Sequence, residues 1–372
     1  MTQDLDRVRA LIALFADATG DPLTIVASVF TPYQLLLFRR IHDLLPGRPV
    51  LLIDSRPRAY RLRHPADLTG AAVLPMELTG AVTDRTQAEL VNEAMAAIGR
   101  FCGADPFVFL CASFQRHFNT VAYTRLRRRP DVRLLLMDDG LATFLDQGTT
   151  PRERARNLAR ELVARIRNLP ARATVRGHPL GLDLAEVQGI ILSMHVGAPA
   201  RSKACSATGG GRRYFLLPQQ TATLPEGDAS KALFIGQPYR DVYGDAILDP
   251  MIEAICADLA GRGFTTIAFK PHHFQSDKEI ARYLAHGMVL DDPPCAVEEM
   301  IAHSPYRTIA SINTTALLTV RALLGDEVSA IAYDPAAFKP AQDTRDILEV
   351  EALFRQGGVE IVNVLSRGRV AS

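Results

Sequence analysis

The chain has 372 residues, 48% of them apolar and 22% charged, and its 42 basic and 41 acidic side chains leave a net charge of +1. That length fits two domains better than one core, and the near-neutral balance argues neither for nor against nucleic-acid binding. The five cysteines, Cys102, Cys111, Cys205, Cys256 and Cys295, are scattered and form no CxxC pair, which argues against a zinc site and for reduced thiols in a cytoplasmic protein.

From the N-terminus, Asp4 to Ala18 reads as an amphipathic helix with Leu5, Val8, Leu11, Ile12 and Phe15 on one face. Residues 1–9 are polar and charged, so no leader segment is expected, and no apolar run reaches the roughly 18 residues of a membrane span. Thr24 to Phe30 is a strand that breaks at Thr31-Pro32, with Thr31 as N-cap and Pro32 in the first turn of a helix to Leu45. Strands are expected at 49–54, 74–78, 106–111 and 133–137, with helices at 86–101 and 118–128 between them. The segment 150–176 is rich in arginine. Arg152, Arg154, Arg156, Arg160, Arg165 and Arg167 lie along a helix whose other side carries Leu158, Leu162, Val163 and Ile166. It reads either as a solvated face or as a surface for an anionic membrane. A Gly- and Ser-rich stretch at 197–213 reads as a loop or lid before the domain boundary.

The second half repeats the alternation. Strands are expected at 232–236, 265–269, 288–291, 308–310 and 328–334. Helices are expected at 250–262, 278–286, 296–302, 314–324 and 344–354. The fold class is therefore α/β, with two Rossmann-like domains, 1–200 and 215–372, facing across a cleft.

Three strand ends carry chemistry. Residues 134–140, LLLMDDG, close an apolar strand with Asp138, Asp139 and Gly140. Glycine permits a sharp turn, and a cleft-facing carboxylate is a plausible general base. Residues 264–273, FTTIAFKPHH, end in Lys270, Pro271, His272 and His273, a cation and two imidazoles suited to a phosphate or a leaving group. Residues 308–315, TIASINTT, bring Asn313, Thr314 and Thr315 to the start of a helix, where free N–H groups and hydroxyls make a phosphate seat. Each corner also has a plain structural reading, as a turn, a satisfied histidine or a helix cap. Together they are what transfer from a nucleotide-activated sugar needs, and neither a dinucleotide fingerprint nor a Walker loop is present.

These motifs resemble those of bacterial sialyltransferases, closest to glycosyltransferase family 52, the lipooligosaccharide sialyltransferase group. Asp138-Asp139-Gly140 is similar to that group's D/E-D/E-G motif, Thr314-Thr315 to its paired Ser/Thr motif, and Lys270-Pro271-His272 to three positions of its K-P-H-P stretch. His273 stands where that stretch has proline. The opening Thr31-Pro32-Tyr33-Gln34-Leu35 and the strand ending in Gln237-Pro238 also look like the group's.

The resemblance implies a GT-B-like fold and an inverting, metal-independent transfer of sialic acid from CMP-sialic acid to a sugar hydroxyl, with no cofactor. It implies Asp138 as base, with Asp139 the other candidate, and His272 as the group assisting departure of CMP. It places Lys270, His273, Asn313, Thr314, Thr315, Gln237 and Pro238 around the CMP-sugar donor, and Thr31, Pro32 and Gln34 on the acceptor side. The implied partners are the CMP-sugar and a glycan or glycolipid acceptor, with contact to an anionic membrane through Arg152–Arg167; a homodimer is left open. The implied location is cytoplasmic or peripheral on the inner membrane. The alternatives are transfer of another CMP-activated ulosonic acid, such as Kdo or legionaminic acid, and a catalytically silent nucleotide-binding protein of a polysaccharide locus.

Overall fold

The computed structural model describes residues 2–63, 65–66, 68–77, 85–114, 117–145, 151–166, 178, 180–193, 213–218, 224–238, 245–312, 314–334 and 344–364. Asn313, Arg167 and most of the Gly-rich stretch lie outside them. Two compact units emerge, one holding the described residues through 218 and the other those from 224 on.

The first unit is a seven-stranded parallel sheet of β1 (Thr24–Val29), β2 (Val50–Asp54), β3 (Ala71–Pro75), β4 (Phe107–Cys111), β5 (Val132–Met137), β6 (Val187–Leu192) and β7 (Arg213–Leu216). Its order is β3-β2-β1-β4-β5-β6-β7. Ile25 of β1 pairs with Val50 on one side and Val108 on the other. The central strands read as unbroken apolar runs because helices cover both faces of such a sheet. Phe15, Ile25, Leu37, Phe38, Val108 and Leu135 share the core, each contributing about 1.5–3 kcal/mol by leaving water. Strand order reverses between β1 and β4, so the loops leaving those strands diverge and open a crevice at the sheet's C-terminal edge.

The second unit is a six-stranded parallel sheet of β8 (Lys231–Ile235), β9 (Thr266–Lys270), β10 (Val289–Leu290), β11 (Thr308–Ser311), β12 (Ser329–Tyr333) and β13 (Glu360–Val362). Its order is β10-β9-β8-β11-β12-β13, with the reversal between β8 and β11. Phe234 and Phe269, from neighbouring strands, stack with Tyr283 of the helix Asp277–Ala285; the Phe269 and Tyr283 centroids are 4.3 Å apart. Ser276 caps that helix by accepting from the Glu279 N–H at 3.3 Å.

Several expectations shift. The first helix is Thr2–Leu14, shorter than read, because Asp17 accepts from the Thr19 and Asp21 N–H groups and turns the chain into a bridge between Ala16 and Pro22. β6 and β7 are strands that the sequence reading passed over. β7 pairs with β6, so residues 215–218 stand with the first unit and not at the start of the second. The helix read from Pro250 starts at Asp245 and carries Pro250 inside it. The proline forfeits one helical hydrogen bond, and burial of Leu248, Met251 and Ile252 holds the helix across it. Among the described residues no helix is long and apolar enough to cross a membrane.

Thr31 caps the helix Pro32–Asp43 as expected, its hydroxyl accepting from the Gln34 N–H at 3.1 Å. Thr31→Ala is expected to lower unfolding stability by about 1 kcal/mol, read as a shifted urea midpoint at unchanged slope.

Candidate active site

In the first unit, β5 delivers Asp138 to the edge beside the crevice. Its carboxylate has no exposed surface. Oδ2 lies 2.6 Å from the Ser193 hydroxyl, 3.2 Å from the Ser193 N–H and 3.1 Å from the Tyr33 hydroxyl; Oδ1 accepts from the Gly140 N–H at 2.6 Å. Tyr33 and Ser193 oxygens are themselves 2.6 Å apart. The Tyr33 and Ser193 hydroxyls both donate to Asp138 Oδ2. Burial raises the Asp138 pKa, opposed by the donors of Ser193, Gly140 and Tyr33. Gly140 has φ of 75°, which lets its N–H turn back onto Asp138 without a Cβ penalty.

The sequence left open which acid of the pair is accessible, and the structure encloses Asp138. Adjacent residues leaving a strand point opposite ways, and here the neighbour takes the accessible side. Asp139 is half-buried, with Oδ1 accepting from the Gln34 amide at 2.5 Å. Gln34 is aimed by its own Oε1, which accepts from the Phe30 N–H at 2.8 Å, and the Asp139 N–H donates to Thr143 Oγ1 at 2.8 Å. Gln34 therefore reaches the acid pair from the helix that Thr31 caps. Tyr33 and Ser193 belong to this cluster and sequence reasoning missed both. The signal for Ser193 was the run GIIL ending in a hydroxyl, the same pattern as the other strand ends.

In the second unit, the ends of β8, β9 and β11 are tied together. The Gly236 N–H donates to the Lys270 carbonyl at 2.9 Å, and the Ser311 hydroxyl donates to the Ile235 carbonyl at 2.8 Å. His272 follows β9. Its backbone N–H donates to Gln275 Oε1 at 2.7 Å, and its Nδ1 accepts from the Phe274 N–H at 3.3 Å. That contact puts the proton of the neutral ring on Nε2. Burial pushes the His272 pKa down to about 4. Burial therefore favours the neutral ring, with its proton on Nε2. His273 packs its ring between His272 and Phe274, with centroids 4.1 and 4.2 Å away.

Thr314 is buried and caps the helix Thr315–Leu324, its hydroxyl oxygen accepting from the Ala316 N–H at 3.4 Å. The hydroxyl proton stays available to donate. Thr315 is half-buried, and half-buried Gln237 and Pro238 follow β8 across the strand-order reversal from this helix start. Lys270 is 7% exposed, and its ammonium donates to the Asp292 carboxylate at 3.2 Å and the Pro293 carbonyl at 2.9 Å. A buried cation needs such a counter-charge, and Lys270 anchors the loop after β10 through it. Among the described residues no group of His, Cys, Asp or Glu converges to hold a metal ion.

No family model matches the sequence, and no curated protein matches it in sequence. Among solved structures, the chain is similar to an α/β-galactoside α-2,3-sialyltransferase from the luminous marine bacterium Photobacterium phosphoreum. The TM-score is 0.54 at 11% identity, over 92% of this chain and 98% of that one. It is also similar to the UDP-GlcNAc 2-epimerase of Methanocaldococcus jannaschii, with TM-score 0.52 and 10% identity over 92% of this chain and 89% of that one. A third similar structure is the UDP-GlcNAc 2-epimerase of Neisseria meningitidis, with TM-score 0.50 and 9% identity over 94% of this chain and all of that one, 100%. These likenesses show the fold, two parallel-sheet α/β units of GT-B type. The assignment to family 52 stays a resemblance of motifs.

Two predictions follow from the geometry of the second unit. A Cβ on Gly236 would lie 2.2 Å from Gln275 Oε1 and 2.8 Å from the Phe269 ring. Gly236→Ala is expected to cost about 1–3 kcal/mol in urea unfolding and to displace the loop that Gln275 holds at His272. An unfolded histidine takes a proton near pH 6.5, whereas folded His272 resists until about 4. Stability is therefore expected to fall as pH drops from about 6.5 toward 4, and less steeply in His272→Gln; a ring pKa above 6 by NMR would contradict this.

Proposed function

We propose that this chain is a glycosyltransferase that moves sialic acid from CMP-sialic acid to a hydroxyl of a terminal sugar, with inversion and without a metal ion. The observation that carries the reading is the donor set around β8. A neutral imidazole with its proton on Nε2 shares a strand edge with a Thr-capped helix start. That set suits a leaving group with a single phosphodiester charge. Neutral donors and a helix N-terminus stabilise such a group as the C–O bond to phosphate breaks, with no need to neutralise a diphosphate.

In this reading the first unit supplies the base. Asp139 takes the proton of the acceptor hydroxyl while that oxygen bonds to the anomeric carbon. CMP departs with the electron pair of the broken bond, and the ring passes through an oxocarbenium-like state. Asp139 suits the role because it is the accessible acid and Gln34 orients it. Asp138 acts through its neighbours: it fixes the Gly140 turn and, through Ser193, the end of β6. This revises the motif-based preference for Asp138. The likeness to a sialyltransferase supports the reading at the level of fold. The likeness to UDP-GlcNAc 2-epimerases marks the nearest rival, an enzyme that alters a nucleotide sugar without an acceptor. The acceptor is proposed to be a lipid-linked or polysaccharide glycan reached on the cytoplasmic side of the inner membrane.

The test is CMP release from CMP-Neu5Ac in EDTA, with and without galactose-terminated acceptors. The native chain is expected to release CMP with acceptor present. Asp139→Asn is expected to lower kcat about 10²–10⁴-fold at native stability. Asp138→Asn is expected to lose about 1–3 kcal/mol of stability, since its amide would meet N–H donors on one side. CMP binding without release would point to another CMP-activated ulosonic acid. No CMP binding with turnover of UDP-GlcNAc would replace the reading by epimerisation. An active Asp139→Asn beside a folded, inactive Asp138→Asn would return the base role to Asp138.

A further inference from the structure

The helix Pro151–Ile166 takes part in neither strand edge described above. None of its described side chains is buried. Its apolar residues, expected to face away from the arginines, are in water: Leu158 is 61% exposed, Leu162 58%, Ile166 73% and Val163 37%. At about 100° per residue, Leu158, Leu162 and Ile166 run along one side, and Val163 widens the stripe to an arc of about 140°. Arg154 sits just beyond one border of the arc and Arg156 just beyond the other, Arg152 falls on the arc's N-terminal end, and all three are exposed. The helix holds five arginines and two glutamates, a net charge of +3 in a chain whose total is +1. The positive charge is therefore local to the element that carries the exposed stripe.

An apolar arc bordered by guanidinium groups has a definite complement. Apolar side chains enter below the headgroups of a bilayer while arginines stay at the phosphates. Anionic lipid adds charge attraction to the same contact. A nucleic acid would meet the arginines and leave Leu158 and Ile166 wet. We infer that the helix Pro151–Ile166 lies in the interface of an anionic lipid membrane, with Leu158, Leu162, Val163 and Ile166 inserted and Arg152, Arg154 and Arg156 on headgroup phosphates. The inference goes beyond the transferase reading and does not depend on it.

Co-sedimentation of the full chain with vesicles tests it, using phosphatidylcholine alone and phosphatidylcholine mixed with phosphatidylglycerol. Binding is expected on the mixed vesicles and about tenfold weaker, or absent, on phosphatidylcholine alone or in high salt. Two variants, Leu158→Ser/Leu162→Ser/Ile166→Ser and Arg152→Glu/Arg156→Glu, are each expected to lose about tenfold in vesicle binding. Both should keep the native melting curve by circular dichroism, because every substituted residue is exposed. Three results would overturn the inference: no binding to mixed vesicles, binding that neither variant changes, or a native dimer that the triple-serine variant converts to monomer. The last would mean a second copy covers the stripe. Transfer to a soluble acceptor is expected to be unchanged in both variants, so failure of this inference and failure of the transferase reading appear in separate measurements.

Discussion

A carboxylate with no exposed surface needs donors on every side, because an unpaired buried charge costs several kcal/mol. Asp138 meets that requirement by drawing on three separate segments: Tyr33 from the helix after β1, Ser193 from the end of β6, and the Gly140 N–H from its own turn. Ser193 follows β6, the neighbour of β5, and Tyr33 follows β1, two strands away on the other side, so the satisfied charge ties together several strand ends of the C-terminal edge. The turn at Gly140 is folded back to reach Asp138, and that fold is what sends Asp139 to the accessible side. One desolvated group thus decides which of two adjacent acids is left partly exposed.

The second unit solves a related problem with neutral groups. His272 is held by two contacts from its own loop, Gln275 to its backbone and the Phe274 N–H to Nδ1, and burial keeps the ring uncharged. The cation that the sequence offers next to it, Lys270, is spent on Asp292 and Pro293. What remains toward the strand-order reversal is a set of neutral donors at a helix start. That is a gentler field than a lysine would make. Gly236 belongs to the same device, since only a residue without a side chain leaves room for Gln275 beside Phe269.

The Arg-rich helix shows a different relation between pattern and place. Its charge was plain from composition, and so was the alternation of arginine with leucine. Whether the apolar side would pack on the sheet or stay in water was not, because the same stripe serves either end. Only the exposed positions of Leu158, Leu162 and Ile166 separate the two.

The sequence by itself determined the α/β class, because apolar runs buried on both faces, separated by capped amphipathic segments, can form little else. It also determined the Thr31 cap and the strand ends where polar residues gather, since caps and strand ends are local features set by neighbouring residues. Tertiary structure alone decided that β6 and β7 complete the first sheet, that Ser193 and Tyr33 enclose Asp138, that Asp139 is the accessible acid, and that Lys270 turns to Asp292. Each depends on a partner far along the chain, as with Tyr33 and Ser193, 160 residues apart and 2.6 Å from each other. No local pattern encodes such a distance, because burial and charge pairing are settled only when the strands lie side by side.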